Sequence, residues 1–167
     1  MTGRRPTRAL LAGGALLALL TAGCGVRPSG VINGGPAPVG QSTGVGIYLV
    51  RHGELELTMR QSAARPAPAE TLKLLVAGPD EAERDQGLTS EVPAGLLPVS
   101  TVTPTTDPPG LALTMSGAVT TLSATAVDQI VCTVTDAVAA SGQGAVYSSV
   151  TLIGPDGTRG PRPCPMK

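Results

Sequence analysis

The chain of 167 residues contains no Phe, no Trp, two Tyr, one His and three Cys, and only 14% of its residues are charged. Each scarcity removes a class of function. Without aromatic rings there is no stacking platform for single-stranded nucleic acid, and no aromatic shelf for a sugar face. Basic and acidic side chains number 12 each and form no basic cluster, so nucleic acid is not an expected partner. A single His excludes most His-based metal sites and catalytic triads, and neither metal nor cofactor is expected. Low charge beside 41% apolar content argues against a wholly disordered chain. What is plentiful is Gly, with 22 residues, and Pro, with 16. The length fits one domain with extensions.

Residues 1–23 have the form of a signal peptide. Arg4, Arg5 and Arg8 make a basic n-region, and Ala9 to Leu20 an apolar h-region too short to span a bilayer comfortably. Leu20-Thr21-Ala22-Gly23-Cys24 then resembles a bacterial lipobox, in which small residues precede a Cys that is diacylglycerylated and becomes the new N-terminus. Thr21 departs from the usual aliphatic residue at its position. Ordinary secretory cleavage, with Cys24 incidental, is the competing reading. Arg4-Arg5 permits twin-arginine export, but Pro6, Thr7 and Arg8 favour the general secretory route. The expected location is the extracytoplasmic face of the cell membrane, held by lipid. Loss of the leader leaves nine basic and twelve acidic residues. A mature chain near −3 is no electrostatic ligand for anionic headgroups, so acyl chains must hold it, each buried CH2 contributing about 0.8 kcal/mol.

With Cys24 assigned to lipid, Cys132 and Cys164 remain. Outside the cytoplasm they can form a disulfide, closing a loop of about 33 residues that the chain-entropy treatment values at roughly 3–4 kcal/mol. Two free thiols, with Cys132 a small buried hydrophobe, are the alternative. The bond would staple a Pro-rich tail, residues 158–167. Residues 24–44, rich in Gly and Pro, make a flexible tether that spans about 25 Å as a coil and about 65–70 Å fully extended.

The folded part is expected over residues 45–157. Ile47-Tyr48-Leu49-Val50 and the alternating Leu55 to Met59 make a hairpin, with His52-Gly53 as its turn. Glu70 opens a helix with Leu72, Leu75 and Val76 on one face, capped by Gly78. Pro79 starts a second, short helix ending at Gly87, and its acids Asp80, Glu81, Glu83 and Asp85 form a solvated face rather than a metal site. Leu96 to Val102 is expected as a strand, Thr103 to Gly110 as a loop, and Leu111 to Met115 as a strand. Val127, Ile130, Val131, Val134 and Val138 recur at helical spacing, with Asp128, Gln129 and Asp136 on the other face. Ser123 or Thr121 caps the start of this helix and Gly142 its end. A final strand carries Val146, Val150 and Leu152 before the turn Gly154-Pro155-Asp156-Gly157. The sum is a single α+β domain, a mainly antiparallel sheet with helices on one face.

Three stretches together resemble the GerMN domain family. They are Gly46 to Arg51 with Gly53 and Leu55; Thr71 to Leu75 followed by Gly78-Pro79, Glu83, Gly87-Leu88-Thr89-Ser90 and Pro93; and Gln129-Ile130-Val131-Cys132-Thr133, then Asp156-Gly157. No one stretch is specific; their order and spacing carry the resemblance over residues 45–157. The Pro-rich segment 103–110 and Ser116-Gly117-Ala118-Val119, without the aromatic residue often found there, depart from the pattern. Small actinobacterial lipoproteins and a sporulation and germination protein of Bacillus belong to this family. The resemblance implies a non-enzymatic envelope module with a protein or peptidoglycan partner. It transfers no catalytic residues. An accessory to a two-component sensor kinase is the alternative implied. A wall hydrolase would need Ser90, Ser116 or Ser123 with His52, or a carboxylate pair of Glu70 with Glu91 or Asp128. Neither set is expected to assemble, so the protein is not expected to be an enzyme.

Overall fold

The computed structural model describes residues 44–166 apart from positions 63, 100–101, 108 and 143–146. The first strands, β1 (Gly44–Arg51) and β2 (Glu54–Gln61), form the expected antiparallel hairpin. His52 and Gly53 turn it with φ of 52° and 84°. Positive φ at both central residues matches the right-handed twist of paired strands, which is why a two-residue turn takes them. Alternation sends Ile47 and Leu49 into the core, both at 0% exposure. The opposite face carries Gly46, Tyr48 and Val50, paired with Met59, Leu57 and Leu55.

Helix α1 (Pro68–Val76) follows, with Pro at its start, where a missing N–H costs nothing, and Gly78 (φ 78°) at its end. Leu72 and Leu75 are fully buried. Helix α2 (Glu81–Asp85) opens on a capping box: Asp80 accepts from the Glu83 amide and the Glu83 carboxylate accepts from the Asp80 amide, both at 2.8 Å. After it, β3 (Thr103–Thr106) and β4 (Pro109–Thr114) pair antiparallel. Helix α3 (Ala124–Ala140) leads to β5 (Val150–Gly154), which lies parallel to β4, and β6 (Gly157–Arg162) returns antiparallel.

The fold is α+β: a two-stranded antiparallel sheet and a four-stranded mixed sheet, ordered β3-β4-β5-β6, with three helices among the described residues. One aliphatic core unites Ile47 and Leu49, Leu72 and Leu75, Leu111 and Leu113, Ile130 and Val134, and Val150 and Leu152. Several local expectations are corrected. The strands divide between two sheets. Residues 103–106 are a strand, because Thr103 and Thr105 pair with Ala112 and Gly110 while Pro104 sits on an edge strand, where a missing donor is tolerated. Residues 96–99 make only a short bridge, Pro98 to Met115, flanked by Val99 N–H donating to Thr114 O at 2.8 Å. Val146 lies outside the described residues. The Pro-rich tail is a strand as far as Arg162, paired to β5.

Helix α3 departs furthest from an amphipathic reading. Gln129, expected on the solvent face, is at 0% exposure, as are Cys132 and Thr133. A helix buried on so many sides must pair its polar groups internally, and it does. Thr133 Oγ1 accepts from the Tyr48 amide at 3.0 Å, and Gln129 Nε2 donates to the Tyr48 carbonyl at 2.9 Å. Two residues on, the Val50 peptide exchanges bonds of 2.9 and 2.8 Å with Thr89. The outer edge of β1 is therefore closed by α3 side chains and a one-residue bridge rather than by a third strand.

Glu83 is also corrected: it is buried at 5% exposure, not solvated. Arg60 of β2 grips it through Nε to Oε1 at 2.9 Å and Nη2 to Oε2 at 2.5 Å. The same guanidinium donates to Leu74 O at 3.1 Å and Gly78 O at 2.7 Å, carbonyls that the end of α1 leaves unpaired. One side chain thus joins the hairpin to α1 and α2. Truncation would strand a buried carboxylate and two carbonyls, so Arg60→Ala is expected to lower unfolding free energy by about 3–5 kcal/mol in urea titration. A loss below about 1 kcal/mol, typical of an exposed pair, would contradict this role.

Candidate interaction cleft

A cleft of about 660 Å³ lies beside the N-terminus of α3. Pro93, Leu96, Gly117, Ala118 and Leu122 give it an apolar lining, and Glu91 and Ser123 its polar end. Ser123 is the N-cap of α3, its Oγ accepting from the Ala126 amide at 3.0 Å and donating to the Glu91 carboxylate. A carboxylate at this place complements the positive end of the helix dipole. The Glu91 amide donates to Gln129 Oε1 at 2.8 Å, so the residue that clamps β1 also positions this edge of the cleft.

The segment that carries Gly117, Ala118 and Leu122 is tied to the β5–β6 turn. Asp156 accepts from the Val119 amide at 2.8 Å, the Thr120 amide at 2.9 Å and the Thr120 hydroxyl. Gly154 has no room for a side chain: a Cβ there would lie 2.6 Å from Gly117 O and 2.8 Å from Asp156 Oδ1. This close approach is the physical reason for glycine at the end of β5. Ser116 Oγ accepts from the Leu97 amide at 3.0 Å and donates to Gly95 O at 3.2 Å, locking the 95–97 lip. Beyond this lip Leu97 and Val99 are exposed at 44% and 65%.

The structure pairs Cys132 of α3 with Cys164 beyond β6, Cα atoms 4.8 Å apart. Arg162 clamps Asp128 through Nε to Oδ1 and Nη2 to Oδ2, the latter at 2.8 Å, and Arg159 donates to Thr120 O and Leu122 O. The tail is thereby fixed to α3 by both covalent and polar bonds. Cys24 lies outside the described residues.

The candidate hydrolytic sets are not assembled. His52 is an exposed turn residue. Ser90 Oγ accepts from the Val92 amide and Gln129 Nε2, and Ser116 and Ser123 have the partners given above. Glu70 pairs with Lys73 on the surface of α1 at 2.7 Å, Asp128 with Arg162, and Glu91 with Ser123. Among the described residues no group of three His, Cys, Asp or Glu is placed to hold a metal, and no helix is long and apolar enough to cross a membrane. The cleft itself had little signal in the sequence. Its walls come from Pro93-Ala94-Gly95 and Ser116-Gly117-Ala118, short runs of small residues without periodicity. No protein-family model, curated protein or solved structure matches this chain.

Two groups have shifted titrations that couple to stability. Hydrogen bonds from the Thr120 hydroxyl and the Val119 and Thr120 amides hold the Asp156 carboxyl at about 2. Its contribution is therefore complete above the ordinary Asp value near 3.9 and is lost as pH falls toward about 2. Burial, then the hydrogen bond to Asp136 at 2.8 Å, pushes Tyr48 up to about 12. That contribution is complete below about 10 and is lost as pH rises toward about 12. Urea midpoints across pH should show a shallower acid slope in Asp156→Asn and a shallower alkaline slope in Tyr48→Phe. Slopes unchanged from the parent would contradict both assignments.

Proposed function

We propose that this protein is a lipid-anchored component of the bacterial cell envelope whose GerMN-like domain is a non-enzymatic module for binding another envelope component, with a protein segment the leading candidate. The observation that carries the reading is the leader: a basic n-region, a short apolar run and small residues before Cys24 stand at the offsets that lipidation requires. The domain supports it. Ser123 with Glu91 holds a helix end, Asp156 a turn and Asp128 the tail, and the cleft is lined with small apolar side chains, with Leu97 exposed next to its lining residue Leu96. An aliphatic cleft with a single carboxylate suits an extended protein chain better than a sugar ring, which prefers aromatic faces.

The reading is tested in cells. Wild-type protein is expected in the membrane fraction and Cys24→Ala in the soluble extracytoplasmic fraction. A photo-crosslinking residue at Ala94 is expected to trap one envelope protein, with the yield reduced several-fold by Leu97→Glu. Membrane retention of the Cys24→Ala protein would refute the anchor. Absence of any adduct at Ala94, with anchoring intact, would refute the cleft as the binding surface.

A further inference from the structure

We propose that the hairpin face carrying Leu57 and Met59 rests on the phospholipid surface to which the chain is anchored, so that the domain lies on the membrane rather than swinging freely above it. This rests on the reading of Cys24 as the lipid site.

Leu57 and Met59 are 45% and 55% exposed on β2. Their outward apolar surface is shaped by what lies beneath it. A Cβ on Gly44 would lie 2.8 Å from Met59 Cε, and one on Gly46 2.9 Å from Leu57 Cδ1. Glycine at both positions lets the two side chains lie flat across β1 as an apolar plate. Beside the plate runs a groove of about 300 Å³, walled by Pro66, Ala137 and Ala140. Arg65 stands at its rim, donating to Ala140 O and exposed to solvent, with a guanidinium geometry that suits phosphate. Asp136 also lines the groove and is engaged by the Tyr48 hydroxyl, so the rim carries one charge of each sign. Nearly neutral and apolar, this face fits the interface of a bilayer without needing the electrostatic attraction that an acidic chain lacks.

The position of the plate identifies its occupant. The chain joins the domain at Gly44, directly beneath Met59. Cys24 is twenty residues earlier. A chain of that length spans about 25 Å as a coil and about 65–70 Å fully extended. The surface around Gly44 is therefore the part of the domain that the tether holds nearest to the bilayer. Tethering also raises the effective concentration of the surface to the order of millimolar, so a contact too weak to recruit a soluble protein is well populated in an anchored one.

The chain has no Trp, so one introduced Trp reports a single position. Full-length lipoprotein carrying Met59→Trp, or Val99→Trp at an exposed position outside the hairpin, would be reconstituted into vesicles of phosphatidylethanolamine and phosphatidylglycerol with and without brominated acyl chains. Because interfacial side chains reach the acyl boundary, brominated lipid is expected to quench M59W emission about twofold or more and leave V99W unchanged. Flotation of the same samples, with Cys24→Ala for comparison, reports the anchor separately. If anchored protein floats but M59W is quenched no more than V99W, the face is free for a protein partner and the proposal is overturned while the anchor stands. If wild-type protein fails to float, the anchor reading fails and takes this proposal with it. Thermal melts matching the parent establish that the variants fold, and Leu57→Trp replaces Met59→Trp if that variant does not.

Discussion

The structure depends on how one peptide unit is paired. Tyr48 lies on β1 with its N–H and C=O turned away from β2, toward the protein interior, where water is absent. An unpaired pair of backbone groups there would cost several kcal/mol. Helix α3 supplies both partners, Thr133 for the amide and Gln129 for the carbonyl, one helical turn apart on the same face. That spacing lets a helix stand in for a neighbouring strand. The remaining Gln129 oxygen is used by the Glu91 amide, which sets the edge of the cleft next to the N-cap Ser123. A bond that closes a sheet edge thus also positions the surface proposed to bind a partner.

Around this clamp, each outlying piece is attached by a polar group with several partners. Arg60 joins the hairpin to α1 and α2; Asp156 ties the β5–β6 turn to the segment before α3; Arg159, Arg162 and the Cys132–Cys164 bond fix the tail to α3. A core without Phe or Trp buries less area per side chain than an aromatic one. Branched aliphatic residues fill the interior, and multiply bonded polar side chains orient the layers.

Elements with a period or a punctuation mark were legible in the sequence. The hairpin was marked by alternation and His52-Gly53, α1 by Leu72, Leu75 and Val76 before Gly78, and α3 by its valines between Ser123 and Gly142. Where physical context decides, the sequence was silent or misleading. Pro104 suggested a loop because the edge position of β3 was not visible. Glu83 and Gln129 looked like surface residues because their partners, Arg60, Tyr48 and Glu91, lie 23, 81 and 38 positions away. The parallel pairing of β4 with β5 places a long connection between neighbours, which local pattern does not reveal. The cleft went unseen for a related reason: it is built from small residues at the ends of elements, and concavity has no period.

Helix α3 substitutes for a strand at the edge of β1. Thr133→Val tests this most directly, because it keeps the shape of the side chain and removes the hydroxyl that accepts from the Tyr48 amide. Hydrogen exchange would be followed amide by amide, with a urea titration of the same protein. The expected loss is about 1–3 kcal/mol, the cost of an unpaired buried donor, with faster exchange concentrated at Tyr48 and its neighbours on β1. Unchanged stability together with unchanged protection at Tyr48 would contradict it.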